Sequence, residues 1–445
     1  MSHEVPADEL ERVRALCETH GVQTVECMVV DTWGIPRGKR VPVTQFLRGG
    51  GFHIANVIYV WDPRCGIHPS PWVDEKDGFP DMHVVPDLTS FRVAGWTEGV
   101  GVVMCDTFDV KTEEPVALDS RGMLKRTLAE FAELDLYPQA AAELEFYLTQ
   151  PDGTPAYDDI HCYSFLKGAQ YEPVLGEIRD ALRDTGIEVE ACNTEYGPAQ
   201  VEINLRYGPA MYTADATVLF KYIVRLVARK HGFDATFMAK PFAGQSGSGM
   251  HVHQSLSDGT GANVFARKDE DSVLGNGLMR RYLTGLMAHH KDLQAVMTPT
   301  INGYRRLEDY SFSPTQVTWG LDHRLVGVRC IADQGPGNRI EARWAAADAN
   351  PYLVMTGCMQ AGLRGLREEL PLPDMVVGDP HVEDRWERLP TSLDEAVSNF
   401  TASEFTKRVY GERFVECFDV MQQVEIGSYN AHVSDWETAR YRDVI

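Results

Sequence analysis

Apolar and polar positions alternate with period two in four short segments, the signature of strands whose two faces differ. Glu143-Leu144-Glu145-Phe146-Tyr147-Leu148 sets two carboxylates on one face and Leu144, Phe146 and Leu148 on the other. Val201-Glu202-Ile203-Asn204-Leu205 sets Glu202 and Asn204 opposite three aliphatics. His251-Val252-His253-Gln254-Ser255 aligns two imidazoles with a hydroxyl, and Arg339-Ile340-Glu341-Ala342-Arg343-Trp344 opposes Arg-Glu-Arg to Ile-Ala-Trp. Elsewhere the period is helical. Residues 8–20 form a short helix pattern. Leu124, Leu128 and Phe131 fall at i, i+4 and i+7 behind Ser120, a residue suited to capping. Val218, Tyr222 and Leu226 share a face of a helix over Ala214–Lys230, with Gly232 just past its end. Residues 348–370 and 392–420 also read as helical. Thr24–Asp31 and Gly101–Asp106 are strand-like, and the stretch between 48 and 100 is rich in Gly, Pro and Trp with little helical period. The texture changes near 110–118. The pattern predicts an α+β chain, with a small domain over residues 1–113 and a large one over 114–445.

Composition narrows the class. The chain has 445 residues, 44% hydrophobic and 24% charged, ordinary values for a folded protein of more than one domain. Its formal charge of −23 makes it a poor general binder of nucleic acid or of anionic membrane. No apolar run approaches the roughly 20 residues of a transmembrane helix. The acidic start, Met1 to Glu11, carries no secretory pattern. Nine cysteines, an odd number, widely spaced and without a CxxC pair, argue against a disulfide framework or a zinc ribbon. Reduced thiols in a cytoplasmic protein are the expectation, with Cys105 buried in a strand.

Each polar strand face alone could simply meet water, and His-x-His alone also fits a cupin-type metal site. If the four faces meet, they gather acids, imidazoles and guanidiniums that need a ligand to be stable together. Carboxylates with an occasional imidazole suit Mg²⁺ or Mn²⁺, and this many acids call for two or three ions. Residues 301–343 contain Arg305, Arg306, Arg324, Arg329, Arg339 and Arg343 and no lysine. Arginine grips phosphate and carboxylate with two parallel hydrogen bonds. Carboxylate-held metals beside arginines are what phosphoryl transfer from a nucleotide requires. There is no Walker A sequence, so a P-loop is excluded.

These segments, in this order, resemble the glutamine synthetase family, in its bacterial type I form. The resemblance runs from about residue 25 to the C-terminal Tyr441-Arg442-Asp443-Val444-Ile445. Its strongest pieces are Glu143-Leu144-Glu145-Phe146, Lys240-Pro241-Phe242 leading to Gly247-Ser248-Gly249-Met250-His251-Val252-His253, and Asn302-Gly303-Tyr304-Arg305-Arg306-Leu307. Arg339-Ile340-Glu341-Ala342-Arg343 and Asn350-Pro351-Tyr352 complete the set. The resemblance implies an N-terminal β-grasp domain followed by a catalytic domain of curved strands. It implies a homo-oligomer, a dodecamer of two hexameric rings, with active sites shared between neighbours. The implied chemistry is ATP-dependent amide formation through γ-glutamyl phosphate.

By position, Glu145, Glu195 and Glu202 resemble ligands of the metal nearer the amino acid. Glu143, His251 and Glu341 resemble ligands of the metal that bridges the nucleotide phosphates. Tyr207, His253, Ser255 and Glu190 resemble nucleotide contacts, and Gly247 and Arg306 resemble groups that hold glutamate. Arg343 resembles a residue at the substrate carboxylate and phosphoryl group, while Arg324, Arg329 and Arg339 resemble phosphate ligands.

The sequence departs from that pattern in places that bear on the nucleophile. Ammonia-using members carry a flap glutamate six residues after the arginine matched by Arg306. Here that position is Phe312, with Pro314 fixing the register. The competing register would let Glu308 or Asp309 supply the acid. Gln245-Ser246 replaces the family's Asp-Asn before Gly247, which bears on the acid substrate. The catalytic aspartate of the small domain is matched only by Asp62, and the adenylylation loop is not recognisable. An aromatic ring in place of a carboxylate suits an alkylamine better than ammonium. The function implied is therefore that of the γ-glutamylamide branch: joining glutamate to an organic primary amine. An ammonia-using synthetase, a non-catalytic assembly protein of the same fold and a cupin-like oxygenase are the competing readings.

Overall fold

A computed structural model describes residues 6–73, 75–332 and 335–445. Two sheets organise these residues. The smaller has six strands in the order 36–42, 24–30, 100–109, 81–86, 52–55, with 92–93 added to the edge of 100–109. Thr24–Val30 runs parallel to Val100–Asp109, and the other pairings are antiparallel. This is the arrangement of a small β-grasp unit. Ala7–Thr19 lies outside it, with Val13 and Cys17 buried.

The larger sheet has nine strands, ordered 319–321, 328–331, 339–342, 250–257, 137–149, 200–205, 189–194, with short strands 208–209 and 234–236 also paired to 137–149. One face packs on helices Ser120–Ala132 and Ala210–Lys230; Pro351–Arg367 packs on both of these and on Gly277–Met297, whose Tyr282 hydroxyl donates to Gln254 of the sheet at 2.8 Å. Leu144, Phe146, Val201, Ile203, Val252, Ile340 and Ala342, the aliphatic and aromatic sides of the four alternating segments, are all buried in the core. The acids, imidazoles and guanidiniums of those segments lie on the other face, as their alternation requires.

The two units are tied by buried polar groups. The guanidinium of Arg121 lies 2.9 Å from Asp87, 2.8 Å from Asp106 and 3.0 Å from Asp215, so one cation joins the small sheet to a helix of the large domain. The Asn350 amide donates to the carbonyls of Asp31 and Thr32 and to the Ser120 hydroxyl.

Three details differ from the sequence pattern. Ser120 begins its helix, but Asp119 caps it, its carboxylate accepting from the Arg121 N–H. The helical stretch at 392–420 is three helices, Leu393–Ala402, Glu404–Tyr410 and Glu412–Ala431, broken at Ser403 and at Gly411, whose φ is 88°. The strand at Arg339 stops at Ala342, so Arg343 and Trp344 follow it rather than continue it. All nine cysteines are free, and Cys105 is buried in its strand. No helix among the described residues is long and apolar enough to cross a membrane.

Candidate active site

Register brings the polar faces together. In the large sheet the four alternating segments are consecutive neighbours. Glu145 stands opposite Glu202, and Glu143 stands between Asn204 and His251. Glu341 stands between His253 and Arg329. Directly opposed residues share a face, so acids, imidazoles and guanidiniums line one surface in rows.

Glu143 is the hub of one row. Its carboxylate meets His251 Nδ1 at 2.9 Å and His253 Nε2 at 3.3 Å, and accepts from the Asn204 amide at 3.1 Å. Burial raises its pKa, but these imidazole contacts outweigh burial and hold the carboxyl well below its usual range. Glu341 is buried, with Arg343 at 2.5 Å, Arg329 at 3.0 Å and His251 at 3.6 Å. Against its desolvation, the Arg343 guanidinium and the two imidazoles bring it down to about 2. His251 is lowered as well, by burial and by Arg343 against the pull of Glu143 and Glu341, which favours the neutral imidazole that can donate a lone pair.

The second group of acids has too little positive charge. Burial pushes Glu145 up to about 7, with Arg306 opposing and Glu195 adding to the rise. Burial together with Glu143, Glu145 and Glu195 pushes Glu202 up to about 10. Glu195 is raised too, chiefly by burial. Glu145 accepts from the Gly249 N–H at 2.6 Å, and Glu195 from the Asn193 amide at 2.9 Å and the Tyr196 N–H at 3.1 Å. Three buried carboxyls, each raised further by neighbouring acids, suit a divalent cation. Among the described residues, Glu143, His253 and Glu341 offer ligand atoms within 4.8 Å of one another. His251 also reaches Glu143 and Glu341, so either imidazole can complete that set. The buried Oδ1 of Asn204 and Nε of Arg343 have no hydrogen-bond partner among the described residues. These donor atoms fit divalent metal and phosphate.

Beside the acids lies a cavity of about 470 Å³. Tyr207, His253, Ser255, Glu190, Arg324, Arg329 and Arg339 all line it, together with Glu143. Every residue matched by sequence to the nucleotide or its phosphates, Arg343 aside, therefore faces one space. Arg339 Nε donates to His253 Nδ1 at 3.2 Å.

Gly247 and Arg306 also meet. A Cβ on Gly247 would lie 2.6 Å from Arg306 Cγ, and one on Gly249 2.6 Å from an Arg306 guanidinium nitrogen. Arg306 is buried and donates to the carbonyls of Arg343 and Trp344 at 3.3 Å. Burial lowers it to about 10, with Glu145 opposing that shift. Phe312 follows on the flap with its ring exposed, and its carbonyl accepts from Arg343 at 3.3 Å. Glu308 and Asp309 are occupied elsewhere. Glu308 pairs with Lys240 at 3.3 Å, and Asp309 is held by Arg388 at 3.0 Å and by the Thr315 hydroxyl.

Asp62 sits in the small unit. Its carboxylate accepts from the backbone of Arg64 and Gly66 at 2.8 Å and meets His68 Nε2 at 3.1 Å. Partial desolvation raises its pKa, but the Gly66 amide and His68 hold it below the usual value. The residues missed from sequence are aromatic. Tyr163 sits in left-handed backbone, φ 54°, bonded to the Thr194 carbonyl beside Glu195. Tyr196 adjoins Glu195 and touches Phe312. Adjacency to Glu195 was the one available signal for Tyr196.

The profile of the glutamine synthetase catalytic domain matches residues 117–441. The chain belongs to the glutamine synthetase family. Within that family it is 35% identical to a glutamate–isopropylamine ligase from a Pseudomonas species, over 98% of each chain. It is 30% identical to a γ-glutamylethanolamide synthetase of Streptomyces coelicolor, over 97% of this chain and 95% of that one. It is 31% identical to a γ-glutamylputrescine synthetase of Escherichia coli, over 93% and 90%. Among solved structures, ligand-free GmaS superposes with a TM-score of 0.85 at 29% identity, over 96% of this chain and 99% of that chain.

Proposed function

We propose that the protein is an ATP-dependent ligase that joins the γ-carboxylate of glutamate to an organic primary amine. The observation that carries this reading is Phe312: an exposed ring on the flap, its carbonyl tied to Arg343, with the neighbouring acids Glu308 and Asp309 committed to other partners. The names of the three relatives described above, each a γ-glutamyl-amine ligase or synthetase, support it, while other relatives at 30–33% identity are named glutamine synthetases.

In this reading Arg306 and Gly247 hold glutamate. A γ-carboxylate oxygen attacks the γ-phosphorus of ATP, ADP leaves, and γ-glutamyl phosphate forms. Arg324, Arg329, Arg339 and Arg343 balance the charge of the transferring group. Tyr207, His253, Ser255 and Glu190 contact the nucleotide. Glu145, Glu195 and Glu202 would hold one divalent ion and Glu143, His251 and Glu341 another, Mg²⁺ or Mn²⁺, two or three in all, which supply phosphate neutralisation when bound. The neutral amine then attacks the acyl carbon and phosphate leaves. Aliphatic ammonium groups have pKa values near 10, so a base must first remove a proton. Asp62, contributed by a neighbouring subunit, is assigned that step, and Phe312 lines the amine site.

A division between residues 113 and 114 falls between the end of strand Val100–Asp109 and the helix at Ser120. We propose a homo-oligomer, a dodecamer of two rings; apolar side chains left open to solvent support contact between copies, not the number of them. Phe165 is 95% exposed beside Leu166 and Tyr163. The free thiols and the use of ATP and glutamate favour a cytoplasmic location.

The test is phosphate release from ATP and glutamate with ammonium and with a panel of primary amines. Higher kcat/KM for an organic amine than for ammonium is expected. Equal or better use of ammonium would overturn the reading.

A further inference from the structure

Two exposed rings from distant segments meet beside the acid cluster. Tyr196 is 57% exposed and Phe312 53%, yet their centroids lie 6.4 Å apart with the planes at 67°. The side chains are open, but both backbones are pinned. Tyr196 donates its N–H to the Glu195 carboxylate at 3.1 Å. The turn behind it closes through Glu195 N–H to the Gln200 carbonyl at 2.9 Å. Gly197 in that turn packs so closely that a Cβ would lie 2.0 Å from the Tyr147 phenol oxygen. Phe312 holds φ at 59°, a left-handed conformation that an aromatic residue adopts only when its surroundings impose it. The Arg343 guanidinium fixes its carbonyl. Two large rings set edge to face on constrained backbone, next to acids and a guanidinium, contribute little to the core. They present apolar surface to whatever enters there.

We infer that Tyr196 is a second specificity-determining residue, which with Phe312 forms a closed aromatic corner selecting a compact primary monoamine with a short apolar substituent. The inference rests on the amine-ligase reading above. Because the rings touch, no chain runs between them, and the substituent must fit against their faces. A short alkyl group gains apolar contact there. Ammonium has no carbon to offer, and a long chain meets the closed corner. Discrimination of this kind rests on differences in contact made by the reacting complex.

The experiment measures kcat/KM for ammonium, methylamine, ethylamine, isopropylamine, butylamine and hexylamine in wild type, Tyr196→Ala and Tyr196→Phe. Tyr196→Ala is expected to lose about tenfold on the best compact amine and to gain on hexylamine, moving the optimum to longer chains. The change should fall on the amine KM, with the KM values of ATP and glutamate and the melting temperature unchanged. Tyr196→Phe, which keeps the ring, should retain the wild-type profile. A length profile of Tyr196→Ala that overlays wild type overturns the inference. So does an equal loss with every nucleophile, which is the mark of a structural role. If wild type itself prefers ammonium to every amine, the ligase reading fails and this inference falls with it. The wild-type ammonium measurement separates the two kinds of failure.

Discussion

The carboxylate sheet and the loops at its edge solve different problems. In the sheet, each functional side chain is placed by register: Glu145 against Glu202, Glu143 against His251, Glu341 against His253. Moving any of them by one position would turn it into the core. In the loops, Phe312 and Tyr196 are placed by individual ties to a carbonyl and a carboxylate, as Asp62 of the small unit is by nearby backbone amides and His68. The sheet is thus suited to chemistry that needs several charges at fixed distances. In the loops one side chain can change without moving the rest, which is what the proposed choice of nucleophile requires.

The comparison is broken most severely at Glu145. Glu145→Ala removes a charge from the acid cluster, and phosphate release at ordinary Mg²⁺ concentration is expected to fall by about a thousandfold or more. Turnover near wild type would dissolve the metal assignment. Shared sites make the next largest effect. Asp62→Ala and Arg343→Ala enzymes should each be nearly inactive, and mixed assemblies of the two should regain a clear fraction of activity. Verified mixed assemblies without recovery would place Asp62 outside the reaction.

Phe312→Glu acts on the loop alone. It is expected to narrow the preference for an amine over ammonium by about ten- to a hundredfold, mainly through lost amine turnover, since each buried CH₂ contributes ~0.8 kcal/mol. A carboxylate there also lowers the cost of bringing in ammonium. An unchanged ratio would relieve Phe312 of its role. A smaller effect separates sheet from loops by pH. Glu145 and Glu202 are raised to about 7 and about 10 without metal, so the metal-free fold is favoured by their protonated forms. That stability is lost as pH rises through these values, while metal must displace the same protons. The rise in melting temperature on adding Mg²⁺ should therefore grow between about pH 6 and pH 8. A Mg²⁺ effect that shrinks over this range would contradict the assignment. The smallest effect is structural: Asp119→Ala removes the cap of the Ser120 helix and should cost about 1 kcal/mol in denaturant unfolding, with substrate preference unchanged.

Much of the sheet was legible in the sequence because alternation needs no knowledge of neighbours. Glu143 and Glu145 share a face whatever strand lies beside them. That the four faces meet came from family resemblance and from the chemistry of their residues, since register is a long-range property. The loops were less legible. Phe312 was visible only as a departure from a pattern. Its contact with Tyr196 joins segments far apart in the chain and leaves no periodic trace. The engagement of Asp309 by Arg388 depends on where the chain passes after residue 380. The cap at Asp119 rather than Ser120 was a choice between adjacent residues of similar chemistry.

The hydrogen bond between Arg343 and the flap ends on the carbonyl of Phe312, not on its side chain. Any amino acid that tolerates the left-handed backbone can keep that anchor. The side chain at 312 can therefore be exchanged while the anchor stays in place, so that what the ring offers to its surroundings is separable from the guanidinium that holds the flap.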